Sequence, residues 1–121
     1  MVEHFYWFID DKFNNPVKEF ILGLSWKEKA KIKAYMIELK LQGHNLRRPM
    51  ADYLDHGIYE LRPKDNRIFY FFYFRNNIVF VHAIRKKTDK IPASDLQICL
   101  KRKTVVEELE KNVTEFKGEA L

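Results

Sequence analysis

The sequence predicts an α+β fold, an antiparallel β-sheet with an N-terminal helical hairpin and a C-terminal helix. Three observations predict it. Two sets of helix-start signals precede Gly43, three strand-like runs joined by short turns lie between residues 58 and 85, and Pro92 opens a last segment with an apolar side. The 121 residues match the size of one domain with one core, so 1–121 is expected to fold as a single unit.

Val2 to Ile9 (VEHFYWFI) is aromatic and short, which predicts a strand. Asn15-Pro16 then supplies an N-cap followed by proline at the first helical position. Val17, Phe20, Ile21 and Leu24 form the apolar face of a helix over about 16–23, and Gly23 stops it. Ser25 and Glu28 make a capping box for a second helix over about 26–42. Trp26, Ala30, Ala34, Ile37 and Leu41 recur at helical spacing and are its expected buried stripe.

Residues 44–56 show no clean period and contain Arg47-Arg48-Pro49, so a loop is expected there. The strands predicted next are 58–62, 67–74 and 78–85, joined by turns at 63–66 and 75–77. Turns this short join antiparallel neighbours. The middle run, RIFYFFYF, is apolar or aromatic on both parities, which predicts a central strand covered on both faces. After the basic stretch 85–90, Leu96, Cys99, Leu100, Val106, Leu109 and Val113 mark the inner side of the last helix, with fraying expected beyond about Phe116.

Charge is unevenly distributed. The chain carries a net +5, with residues 25–105 at +10 between acidic ends of −2 and −3. This pattern suits a polyanion-binding surface, and it also suits lysines that merely solvate helix faces. A hydrophobic content of 46% excludes disorder for the bulk of the chain. Cys99 is the only cysteine, so no internal disulfide is possible. The start of the chain lacks a signal-peptide pattern and no apolar run reaches membrane-spanning length, so a cytoplasmic protein is expected.

His4, His44, His56 and His82 show no metal-ligand spacing, and with four glycines there is no phosphate or dinucleotide loop. No metal or cofactor is expected. His82 shares the parity of Ile78, Phe80 and Ile84, which suggests a packed core histidine. Alternation places Glu60 and Arg62 on one face of their strand, with Tyr59 and Leu61 on the other. Arg67 opens the next strand across a turn from Arg62, so two like charges meet. Either Glu60 neutralises one of them or the pair awaits an anion such as phosphate. Tyr59 or Tyr73 could then stack on unpaired bases.

The runs Gly57-Ile-Tyr-Glu-Leu-Arg62, Arg67-Ile-Phe-Tyr70 and Ile78-Val-Phe-Val-His82-Ala-Ile-Arg-Lys-Lys-Thr-Asp-Lys-Ile-Pro92 resemble the RelE/ParE superfamily of toxin-antitoxin toxins, most closely its HigB-like, phage-derived branch. The resemblance implies a RelE-like fold whose first strand is N-terminal. It also implies a type II toxin that cuts messenger RNA on the ribosome without a metal. In that chemistry a ribose 2′-hydroxyl attacks the adjacent phosphate. Carried onto matching positions, Arg62, Arg67 and Lys87 are the expected catalytic residues. Arg47, Arg48, Tyr59, Lys64, Tyr73, Arg85 and Lys86 are the expected RNA contacts. Its implied partners are a cognate antitoxin, of the HigA-like helix-turn-helix kind, and the ribosome with its mRNA; no membrane partner is expected. Two other readings stand beside this one: a ParE-like gyrase inhibitor without nuclease activity, and a basic nucleic-acid-binding phage protein without toxicity.

Overall fold

The computed structural model describes residues 1–86 and 90–118. Its elements are β1 (His4–Phe8), α1 (Pro16–Leu22), α2 (Trp26–Gln42), β2 (Ala51–Asp55), β3 (Ile58–Leu61), β4 (Asn66–Tyr73), β5 (Asn77–Arg85), α3 (Ala93–Leu109) and β6 (Val113–Phe116). The six strands form one open sheet in the order β2-β3-β4-β5-β1-β6.

Local chemistry sets the element starts. Asn15 Oδ1 accepts the Lys18 amide at 3.2 Å, with Pro16 at the first position of α1. At α2 the Ser25 hydroxyl accepts the Glu28 amide at 3.2 Å, and Glu28 reaches back to the Ser25 amide. The predicted meander is present, with β3, β4 and β5 antiparallel in sequence. β4 is covered on both sides. Ile68 and Tyr70 face a core shared with Val17, Ile21, Ile32 and Met36, while Phe69 and Phe71 face one shared with Cys99 and Val106. Helices α1 and α2 therefore cover one face of the sheet and α3 the other.

The fold departs from the sequence reading in five respects, the first of them in the sheet. The sheet is mixed rather than antiparallel, because β1 pairs parallel with β5 and antiparallel with β6. A parallel neighbour needs a long crossover, here everything from α1 to β4, and no local signal reports such a pairing. The segment 51–55 is the edge strand β2 rather than loop, turned into β3 by His56 (φ 50°) and Gly57 (φ 84°). Two left-handed residues in succession match the twist of a hairpin. A side chain at position 57 would also press on Lys103 Cε, 3.1 Å from an added Cβ.

At the other end, α3 stops at Leu109 rather than continuing through Val113. Glu110 (φ 50°) and Asn112 (φ 67°) turn the chain, and residues 113–116 pair with the open edge of β1. Phe116 stacks on the fully buried Trp7 at 4.5 Å, so 113–116 is strand rather than the end of the last helix. Of the tail expected to fray beyond Phe116, residues 119–121 lie outside the described residues. Helix α1 lies on β5 and β1, and its Val17 and Ile21 share one core with Ile32, Met36 and Leu39 of α2. The two helices are thus held through the sheet face, and the expected N-terminal helical hairpin is not shown as a separate unit.

The last departure concerns the buried face of α2. Its buried residues are Ile32, Met36 and Leu39, with Tyr35 partly covered. The stripe expected inside is outside: Trp26 is 75% exposed, Ile37 59% and Leu41 53%, and Ala30 and Ala34 are exposed too. Helix α2 is apolar on two opposite faces, and periodicity alone does not tell which one meets the sheet.

Glu28 links three elements. Its carboxylate accepts from Ser25 at the helix cap, from Asn66 Nδ2 of β4 at 3.0 Å and from Arg85 Nη2 of β5 at 2.8 Å. The Asn66 hydrogen bond foremost, then those of Ser25 and Arg85, hold its pKa at about 2 instead of 4.5, against an opposing effect of desolvation. The unfolded chain takes up this proton as pH falls through 4.5, and the folded chain does so only near about 2. The stabilisation is therefore complete above 4.5 and is lost as pH falls toward about 2. Thermal melts across this window should show the melting-temperature gap between the unmodified chain and Glu28→Gln shrinking steadily as acid is added. A gap independent of pH would show that the carboxylate charge contributes nothing.

Candidate functional site

The site grows from one row of residues across the sheet. Asp52, Glu60, Phe69 and His82 are register partners on β2, β3, β4 and β5, so their side chains share the face on which α3 packs. Each polar member of the row holds a partner. Arg48 binds Asp52 through Nε and Nη2, both 2.9 Å from Oδ2. Arg62 Nη1 lies 2.7 Å from Glu60 Oε2, and Arg67 Nε lies 3.6 Å from Glu60 Oε1. His82 Nε2 is 2.8 Å from Asp95 Oδ1 in the first turn of α3.

Glu60 is the centre of the charge cluster. Its side chain is 3% exposed, that of Arg67 5% and that of Arg62 19%. One carboxylate thus stands between two guanidiniums, which explains how like charges tolerate each other at the start of β4. The Arg67 guanidinium turns back to its own turn, where Nη1 donates to the carbonyls of Lys64 at 2.6 Å and Asn66 at 2.8 Å. Burial first, and then the Arg62 charge, pull the pKa of Arg67 down, while Glu60 and Asp65 pull it up. A guanidinium still stays protonated in any such setting. Arg62 is the member of the trio with a flank open to solvent.

The other expected residues are distributed around this cluster in different ways. Arg47 donates to the carbonyls of His44 and Leu46 and braces the loop before β2. Arg48 belongs to the row through Asp52, and its charge also acts on Arg67. Lys64 is exposed in the β3–β4 turn at φ 55°, and its side chain lines a small cleft with Lys27 and Lys31 of α2. Arg85 lies at the same end of the sheet as Arg67 but on the opposite face, where it pairs with Asn66 in register and with Glu28 in charge. The Lys86 amide donates to the Asp65 carbonyl at 2.6 Å, and its side chain lines a cleft of about 290 Å³ with Lys90, Pro92 and Asp95. Lys87 lies outside the described residues.

The two tyrosines are not brought to the arginines. Tyr59 faces the α2 side, stacked on Tyr70 at 5.5 Å and set edge-on to Tyr53 and Phe72. Tyr73 ends β4 at the far end from Arg67, packed edge-on against Tyr6, and burial raises its phenol pKa.

The sequence reading missed the His82–Asp95 pair. A bulge leaves Val81 unpaired between the Phe69–His82 and Tyr70–Phe80 partners. This extra residue moves His82 off the parity of Ile78 and Phe80, to the α3 side. There it stacks on Phe69 at 5.7 Å, and its second ring nitrogen lies 3.5 Å from Arg102 Nη1. Burial lowers its pKa and outweighs the raising effect of Asp95. With Arg102 as donor to Nδ1, Nε2 carries the proton toward Asp95, so both nitrogens are engaged and the ring ties β5 to α3. An acidic residue in the first turn of the last helix was the only available sequence signal.

Among the described residues no three His, Cys, Asp or Glu side chains gather as metal ligands do, and no helix is long and apolar enough to cross a membrane. Residues 19–104 match the profile of a family described as phage-derived protein Gp49-like (DUF891). No curated protein matches the chain.

Proposed function

The chain belongs to the Gp49-like phage-derived family, within the RelE/ParE-like toxin group, and from that premise we propose that it is the toxin of a type II toxin-antitoxin pair that cuts messenger RNA on the ribosome. The observation that carries this reading is the Arg62 guanidinium, pinned by a buried carboxylate yet open on one side. A cation fixed in this way needs no reorganisation when negative charge develops beside it, which is what phosphorane stabilisation requires.

In the proposed reaction the ribose 2′-oxygen bonds to the adjacent phosphorus, and the bond to the 5′-oxygen of the next nucleotide breaks. The hydroxyl proton leaves to a base and the departing oxygen gains one from an acid. Arg62 would hold the non-bridging oxygens as charge builds on them. Arg67, with its donors on backbone carbonyls, would position Arg62 through Glu60 rather than touch RNA. Lys87, carried over from the family pattern, and the cleft at Lys86 would hold a neighbouring phosphate. The antitoxin, of the HigA-like kind, would be the partner that keeps this activity silent.

Primer extension on an mRNA translated in a purified system tests this reading. The chain should produce cleavages within codons when ribosomes are translating and none on the same RNA without ribosomes. Intact mRNA together with blocked gyrase supercoiling would overturn the nuclease reading in favour of the ParE-like one.

A further inference from the structure

Helix α2 turns one apolar face to the sheet and a second one to water. The outer stripe runs Trp26, Ala30, Ala34, Ile37 and Leu41, at steps of four, four, three and four. At 100° per residue these five side chains fall within one narrow sector, opposite Ile32, Met36 and Leu39. Scattered exposed apolar residues are ordinary, whereas an unbroken row along four turns is the mark of an interaction surface. The small residues stand in the middle of the row and the large ones toward its ends. Alanines at that point let a second helix come close, with Trp26 and the Ile37/Leu41 pair as anchors on either side.

The flanks of the stripe are basic. Lys29, Lys33 and Lys40 border one side; Lys27 and Lys31 border the other, where Glu38 is the one acidic residue. On the Lys33–Lys40 side the stripe continues into a cleft of about 560 Å³ between α2 and β6, floored by Phe5, Met36, Ile37 and Phe116. From this complementarity we infer that the outer face of α2 docks an acidic amphipathic helix supplied by another protein. Its apolar positions would seat on the stripe and its carboxylates would meet the two lysine rows. A second copy of this chain fits poorly, because it would set lysine rows against lysine rows. RNA would satisfy the lysines but leave Ile37, Leu41 and both alanines facing polar backbone. The docked helix would lie on the sheet face opposite Glu60, Arg62 and Arg67. The inference does not depend on whether that cluster cuts RNA.

The experiment uses the whole chain and a synthetic helical peptide of about four turns, with leucines at spacings of three and four and glutamates on both flanks. A scrambled peptide of the same composition and a single-stranded RNA oligonucleotide serve as competitors. Trp26 reports docking directly, because the other tryptophan, Trp7, is fully buried. The expected result is a blue shift of Trp26 emission and binding at least about tenfold tighter than for the scrambled peptide. Binding should weaken with salt. Ala34→Glu, an exposed helical position, should abolish binding with the circular dichroism and any ribosome-dependent cleavage unchanged. Equal binding of the two peptides would overturn the inference, as would displacement by the oligonucleotide, or self-association that Ala34→Glu removes.

Discussion

Glu60→Ala is expected to destabilise the folded chain by about 3–5 kcal/mol, the range for removing one partner from a buried ion pair. The size follows from what stays behind. Arg67, 5% exposed, and Arg62, 19% exposed, would face each other without the carboxylate that now lies between them. Neither guanidinium can lose its proton to escape the cost. A Glu60→Gln chain keeps the shape and restores one acceptor, so it should lose less than the alanine variant but clearly more than a surface substitution. Chemical denaturation of the singles and of Glu60→Ala/Arg62→Ala provides the check. The second substitution should recover part of the loss, because it removes one of the two stranded charges. Strict additivity would mean that Glu60 acts by packing alone.

Much of this arrangement is legible in the sequence where the interactions are local. Asn15-Pro16 and Ser25/Glu28 fix two helix starts, and the caps found are the caps expected. Short turns and alternation place β3, β4 and β5, and put Glu60 opposite in facing to Tyr59. What escapes the sequence depends on distant partners. β2 and β6 are edge strands of four or five residues whose pairing is decided by the edges they meet, and the parallel β1–β5 ladder joins segments about seventy residues apart. The bulge at Val81 reverses the parity on which the facing of His82 was read. For the site, Arg62 and Arg67 were identifiable as a pair. A turn placed Arg85 at their end of the sheet, but one step of alternation sent it to the other face, where Glu28 holds it. The distribution of charge along the chain carries no information about faces, and the apolar period of α2 carried it twice over.

Arg62→Ala is expected to lower ribosome-dependent cleavage by on the order of 10²–10³, the effect of removing one preorganised donor from a site where an oxyanion develops. The loss should fall on the cleavage step more than on binding, because the phosphorane bears more negative charge than the diester it comes from. Stability should respond much less than in Glu60→Ala, since Glu60 retains Arg67 at 3.6 Å and the like-charge contact between the two guanidiniums is relieved. Arg62→Lys separates charge from geometry. An ammonium still pairs with Glu60, but it lacks the planar fork that meets two phosphate oxygens at once, so it should hold the melting temperature while recovering only part of the rate. Arg67→Lys should behave differently, because its guanidinium donates to the carbonyls of Lys64 and Asn66 and a lysine lacks the fork that reaches them. It should lower stability and cleavage together, as a positioning residue does. Primer extension with each purified variant, scored beside its thermal melt, tests the assignment. A well-folded Arg62→Ala chain that cuts at the unmodified rate would remove Arg62 from the reaction and leave it as half of an ion pair.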